Sequence, residues 1–202
     1  MKGDRGPQGY PPAVTTDKAH SRERFESLAR SPAGWLMAAA ELRMSADLVG
    51  DRFAEAVGNW LEGREPGRYL HVGAVFLMLA GFAIEALLKG IVLAGNPSTV
   101  SHGRLPKWLL NHDLSGLMQR ANVPLTGDED ELLRRLVEAV QWRGRYPVPR
   151  HAGELPDSHS VGIPDVNAFR ALYDRLEREL SRTVGYVGGP LGNGGSYRPR
   201  SG

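Results

Sequence analysis

The chain has 202 residues, 41% of them hydrophobic, no cysteine and a formal net charge of +2. That length suits one domain with a sizeable core. The missing thiols exclude disulfides, thiolate metal sites and cysteine nucleophiles, and the small charge excludes a fold that is basic as a whole. A nucleic-acid role must then rest on a local patch of cations.

Residues 1–30 read as a mostly disordered segment that leads into a short helical turn, HSRERFESLAR. Its first twenty residues lack the apolar core of a secretory signal, and with the absence of cysteine this suggests a reducing cytoplasm. Residues 31–184 read as the folded domain. Ser31-Pro32 is a helix start, with serine as N-cap and proline where no donor is missed. Trp35, Leu36, Ala39, Leu42, Leu48, Val49, Phe53, Val57 and Trp60 keep helical spacing up to Leu61, and Gly63 and Pro66-Gly67 stop the helix. A second long helix is expected from about Tyr69 to Leu93, apolar nearly all round and therefore central. Its uncharged run Val72–Ile84 is 13 residues long, short of the ~20 that span a bilayer. Glu85 and Lys89 follow, four apart in the favourable order for a helical pair. A core helix is expected and no membrane.

Gly95-Asn96-Pro97 ends that helix, and a short turn is expected around Trp108-Leu109-Leu110. His112-Asp113 opens a short helix with Leu114, Leu117 and Met118 on one side, and Asn122-Val-Pro-Leu follows as a connector. Thr126-Gly-Asp-Glu129 has capping-box spacing and launches a helix with Leu132, Leu133, Leu136, Val137 and Val140 as its stripe. The acidic block Asp128–Glu131 suits the positive end of that helix dipole. Pro164-Asp165 begins a last helix whose stripe is Val166, Phe169, Leu172, Tyr173, Leu176 and Leu180. Residues 185–202 are a Gly-rich tail of disordered type. No strand alternation occurs anywhere, so the fold class is all-α.

The densest chemistry lies in EAVQWRGRYPVPRH, Glu138–His151. Trp142, Arg143, Arg145, Tyr146, Arg150 and His151 crowd together there beside Pro147 and Pro149, which stiffen the backbone. Arg145 and His151 are candidate catalytic groups, with Arg143, Tyr146, Arg150 and Trp142 as substrate-binding candidates. The aromatics could stack on unpaired bases. The alternative is that Arg145 holds carbonyls or a carboxylate of the turn, His151 stands exposed and Trp142 packs on the core. Glu85, Lys89, His112 and Asp113 read as structural. A carboxylate in an apolar helix needs a partner, which is Lys89 or an arginine of the Arg143–Arg145 turn, and His112 reads as a hydrogen-bonder at helix entry. His71, His102, His112, His151 and His159 show no metal-binding spacing, and no metal or cofactor is expected: a phosphate loop, a Ser-His-Asp signature and a Rossmann fingerprint are all missing.

Three of these pieces together resemble the HEPN superfamily of prokaryotic helical bundles, over about Trp35–Thr183. The central helix FLMLAGFAIEALLKGIVL is similar to that family's apolar helix with an E-x-x-L-K core. Asn111-His112-Asp113-Leu114-Ser115-Gly116-Leu117 is similar to its H-D-L-x-x-L short helix. Five residues separate Arg145 from His151, within the family's pattern of arginine, four to six residues, then histidine. The chain departs from the pattern in having Tyr146 after the arginine, two prolines, and no helix until about Asp165.

The resemblance implies an up-and-down bundle of four to five helices, homodimerisation with the two motifs facing across a cleft, and metal-independent RNA cleavage in a toxin or phage-defence system. Arg145 would steady the phosphate and His151 would act as acid or base on the ribose 2′-hydroxyl. A second reading is a non-catalytic HEPN-type module that dimerises or partners an antitoxin, a nucleotidyltransferase or a defence effector.

Overall fold

The computed structural model describes residues 18–64, 70–154 and 161–184. Among them are seven α-helices and no strand: α1 Lys18–Arg30, α2 Pro32–Leu61, α3 Gly73–Gly95, α4 Lys107–Leu110, α5 Leu114–Ala121, α6 Gly127–Glu138 and α7 Ile163–Val184. The protein is all-α. The Pro66-Gly67 stop, His159 and the tail from residue 185 lie outside the described residues.

α3 is the centre, packing against α2, α5, α6 and α7. Phe76, Leu77, Ile84, Leu87 and Leu88 are closed off from water. By length and composition it could cross a membrane, yet 67% of its most apolar window is buried by the other helices. It starts at Gly73 after a 3-10 turn, Leu70–Val72. Two glycines let neighbours touch its backbone. A Cβ at Gly81 would strike Val140 of the segment after α6, and one at Gly90 would meet Leu180 of α7 at 2.7 Å.

α2 begins as expected, with Ser31 Oγ accepting from the Gly34 N–H at 3.3 Å and proline at the first position. Its buried face differs from the expected stripe. Leu48 and Trp60 are 73% and 52% exposed, while Ala46 and Gly50 are buried. Small residues face α3 because the Phe76 ring lies 3.0 Å from where a Gly50 Cβ would be. α7 carries the expected stripe, with Val166, Phe169, Leu172, Tyr173, Leu176 and Leu180 all buried. Ion pairs fasten it on two sides. Arg170 reaches Asp47 and Asp51 of α2 at 2.8 and 2.5 Å, and Arg135 of α6 reaches Asp165 at 2.7 Å.

α1 is a 13-residue helix, longer than the short turn expected there. None of its residues is buried, so polar tethers hold it. Glu26 pairs with Arg22 and Arg30 at 3.0 and 2.7 Å and accepts from the Gly103 N–H at 2.7 Å. Arg30 donates twice to the Val100 carbonyl, at 2.9 and 2.6 Å.

Candidate functional site

Two segments that are far apart in sequence meet beside α3. The first is the entry to α5. Asp113 is its N-cap, accepting from the Gly116 N–H at 2.9 Å, so the preceding His112 stands just outside the helix. There its Nδ1 meets the Glu85 carboxylate at 2.9 and 3.2 Å. Its ring stands edge-on to Phe82, with centroids 5.5 Å apart. Glu85 also accepts from Lys89 Nζ one turn further along α3, and both side chains are buried.

An ionised carboxylate only accepts, so the Nδ1–H of His112 must be the donor, and in the neutral ring the lone pair sits on Nε2. The His112 side chain is 44% exposed. The edge away from the buried Glu85 is therefore the one that meets solvent.

The second segment follows α6. The helix widens into a π turn over Ala139–Arg143, whose closing bond runs from the Gly144 N–H to the Ala139 carbonyl at 3.0 Å. The next two N–H groups, of Arg145 and Tyr146, both go to the Trp142 carbonyl, at 2.9 and 2.8 Å. The carbonyls of Val140 and Gln141 thereby lose their usual helical donors, and Arg145 supplies them from its side chain. Its Nη2 donates to Val140 at 2.8 Å and to Gln141 at 3.1 Å. Arg145 thus caps the C-terminus of the helix it follows, where a cation also suits the dipole. Gly144 allows this close approach, since a Cβ there would strike the Met78 side chain of α3.

Between the segments lies a cleft of about 600 Å³. Leu110, Asn111, His112 and Asp113 line one side, and Gln141, Trp142, Arg145, Arg150 and His151 the other. Two imidazoles and two guanidiniums line it beside a single carboxylate, that of Asp113. A smaller concavity of about 430 Å³ adjoins it through Asn111 and Asp113, with the Arg120 guanidinium 5.3 Å from the Trp108 ring centre.

Compared with models of known protein families, with curated proteins and with solved structures, the chain matches none.

Of the residues singled out in the sequence, Arg145, His151, Arg150 and Trp142 line the cleft together, and His112 and Asp113 join them. Arg143 and Tyr146 are not on its lining. Arg143 turns to Glu138 at 3.8 Å, and Tyr146 is exposed with the Arg145 guanidinium 5.5 Å from its ring centre. Glu85 takes Lys89, as one alternative had it, but its further partner is His112 and not an arginine of the turn. Sequence reasoning missed that link. The signal was present: a buried carboxylate needs more than one donor, and the His112-Asp113 pair places a ring nitrogen at a helix entry. Among the described residues no three His, Asp or Glu side chains gather to hold a metal ion.

Chemically, the cleft offers two guanidiniums, which are permanent cations, and two imidazole rings.

Proposed function

We propose that the chain is a HEPN-like bundle of four to five helices that acts on RNA, as a metal-independent endoribonuclease of a toxin or phage-defence system. The observation that carries this reading is the single cleft shared by Arg145, Arg150 and His151 on one side and the His112-Asp113 helix entry on the other. Arg145 and Arg150 hold the phosphate, Trp142 offers a ring face to a base, and His151 moves a proton at the ribose or at the leaving oxygen. The test incubates purified protein with total RNA and a chelator, beside Arg145→Ala and His151→Ala. Both variants are expected to lose about 10²–10⁴-fold in rate. Equal cleavage by all three proteins indicates a contaminant and sinks the reading.

One observation favours a second reading, a non-catalytic HEPN-type module that dimerises or partners an antitoxin, a nucleotidyltransferase or another defence effector. Arg145 is already committed through Nη2 to two backbone carbonyls, which is work a purely structural arginine would do. An intact dimer by sedimentation with no cleavage of any RNA supports that reading over the first.

A further inference from the structure

We propose that His112 is the general base of the cleft and that Glu85 is its positioning residue. The proposal rests on the RNA-cleaving reading above and assigns a role that the Arg145/His151 pair leaves open.

A base that takes a hydroxyl proton needs a free lone pair aimed at the substrate and a ring that cannot flip away from it. His112 has both. Nδ1 is pinned by the Glu85 carboxylate at 2.9 Å, and the ring is braced by the edge-on Phe82. Glu85 itself cannot swing, because it is buried and also held by Lys89. A buried carboxylate fixing Nδ1–H leaves Nε2 unprotonated in the neutral ring, which is the arrangement that orients imidazole bases and stabilises the cation they become. His112 lines the same cleft as Arg145, Arg150 and His151. The charged or titratable groups around it are Glu85 and Lys89 of α3, its neighbour Asp113, and those three residues across the cleft.

Two imidazoles on one cleft can divide the proton work. His112 Nε2 takes the proton of a ribose 2′-hydroxyl. The 2′-oxygen forms a bond to the adjacent phosphorus, whose bond to the 5′-oxygen breaks with its electron pair on oxygen. The imidazolium of His151 then gives that oxygen a proton. The products are a 2′,3′-cyclic phosphate and a 5′-hydroxyl end. The step leaves His112 protonated and His151 neutral, and the starting state returns when His112 gives a proton to solvent and His151 takes one from it.

The test uses the full chain and an oligonucleotide with one ribose among deoxyriboses, made with either oxygen or sulfur at the bridging 5′ position. A sulfur leaving group needs no proton, so it rescues loss of the acid but not loss of the base. His151→Ala is expected to lose about 10²–10⁴-fold on the oxygen substrate and to recover on sulfur, whereas His112→Gln loses as much on both. Glu85→Gln also leaves Lys89 without its carboxylate, so its expected loss of activity is read under conditions where its helical content equals that of the wild type. In nitrogen NMR of the unaltered protein, the neutral His112 ring is expected to carry its proton on Nδ1.

If the wild type cuts and a folded His112→Gln cuts equally well, or is rescued by sulfur, the proposal falls and the RNA-cleaving reading stands. If the wild type cuts neither substrate, both fall. Should His112→Gln fail to fold, an Nε2-protonated neutral ring in the unaltered protein overturns the proposal by itself.

Discussion

Glu85 and Lys89 are one turn apart in the most apolar helix of the protein, at 5% and 6% exposure. Taking two charges out of water is costly, and their mutual attraction offsets this only while both are present. Glu85→Leu should therefore destabilise by about 3–5 kcal/mol in denaturant unfolding, because Lys89 is left buried without its carboxylate. Replacing both by leucine or methionine should come close to wild-type stability. An equal loss in the single and double variants would show that the ion pair is not what the site needs. Gly144 poses a question of space and not charge. Gly144→Ala would push against Met78, and overpacking of this kind costs about 1–3 kcal/mol. The expected result is a lowered denaturation midpoint and, if the proposed RNA-cleaving role holds, weakened RNA binding, since the next residue is Arg145. Unchanged binding would detach the arginine's position from this contact.

Helices legible in the sequence are those whose ends and stripes carry strong local chemistry. α6 shows why: Thr126 Oγ1 accepts from the Glu129 N–H at 3.3 Å, and Glu129 accepts from the Thr126 N–H at 2.9 Å. Partial burial pushes the Glu129 carboxyl up, but the Thr126 N–H and Arg175 outweigh it and hold the group below its ordinary range. Thr126→Ala should cost about 1 kcal/mol, read as faster amide exchange in the first turn of α6; exchange confined to other helices would refute the cap's local role. α1 was less legible because nothing in it is buried and its tethers reach the loop at residues 100–103, which sequence spacing does not reveal. Those tethers are acid-sensitive. The Gly103 N–H, then Arg22 and Arg30, hold Glu26 below its usual 4.5. A carboxyl lowered on folding contributes stability above its unfolded value and loses it as the pH falls through the folded one. Protection of α1 amides should accordingly hold above about pH 4.5 and drop as the pH falls below it, while α3 keeps its own. Equal loss in both helices would mean that α1 has no separate attachment.

At the scale of the whole molecule, the candidate site is a meeting of two segments that neither one predicts. The crowding of Trp142, Arg145 and His151 was visible in the chain. Their company with His112 was not, because it depends on α3 presenting Glu85 toward the entry of α5. A cleft that holds an arginine, two imidazoles and a second guanidinium in one chain also bears on assembly. If one chain completes the site, specific activity stays constant on dilution. If the site needs a second copy facing it, as the family resemblance implies, activity falls once dilution splits the dimer. Measuring rate against protein concentration, with sedimentation in parallel, separates the two; falling activity without dissociation would contradict both.

The π turn after α6 adds one residue to a helical revolution, and about 100° of rotation goes with each residue. Everything downstream is thereby turned out of phase with the stripe of α6. Without that extra residue the guanidinium of Arg145 would leave from a different side of the helix, and the carbonyls of Val140 and Gln141 would find ordinary backbone donors. Removing a single residue, such as Gln141, should regularise the helix and abolish the cleft while keeping the bundle. Whether this surface exists is thus set less by which side chains are present than by a count of one.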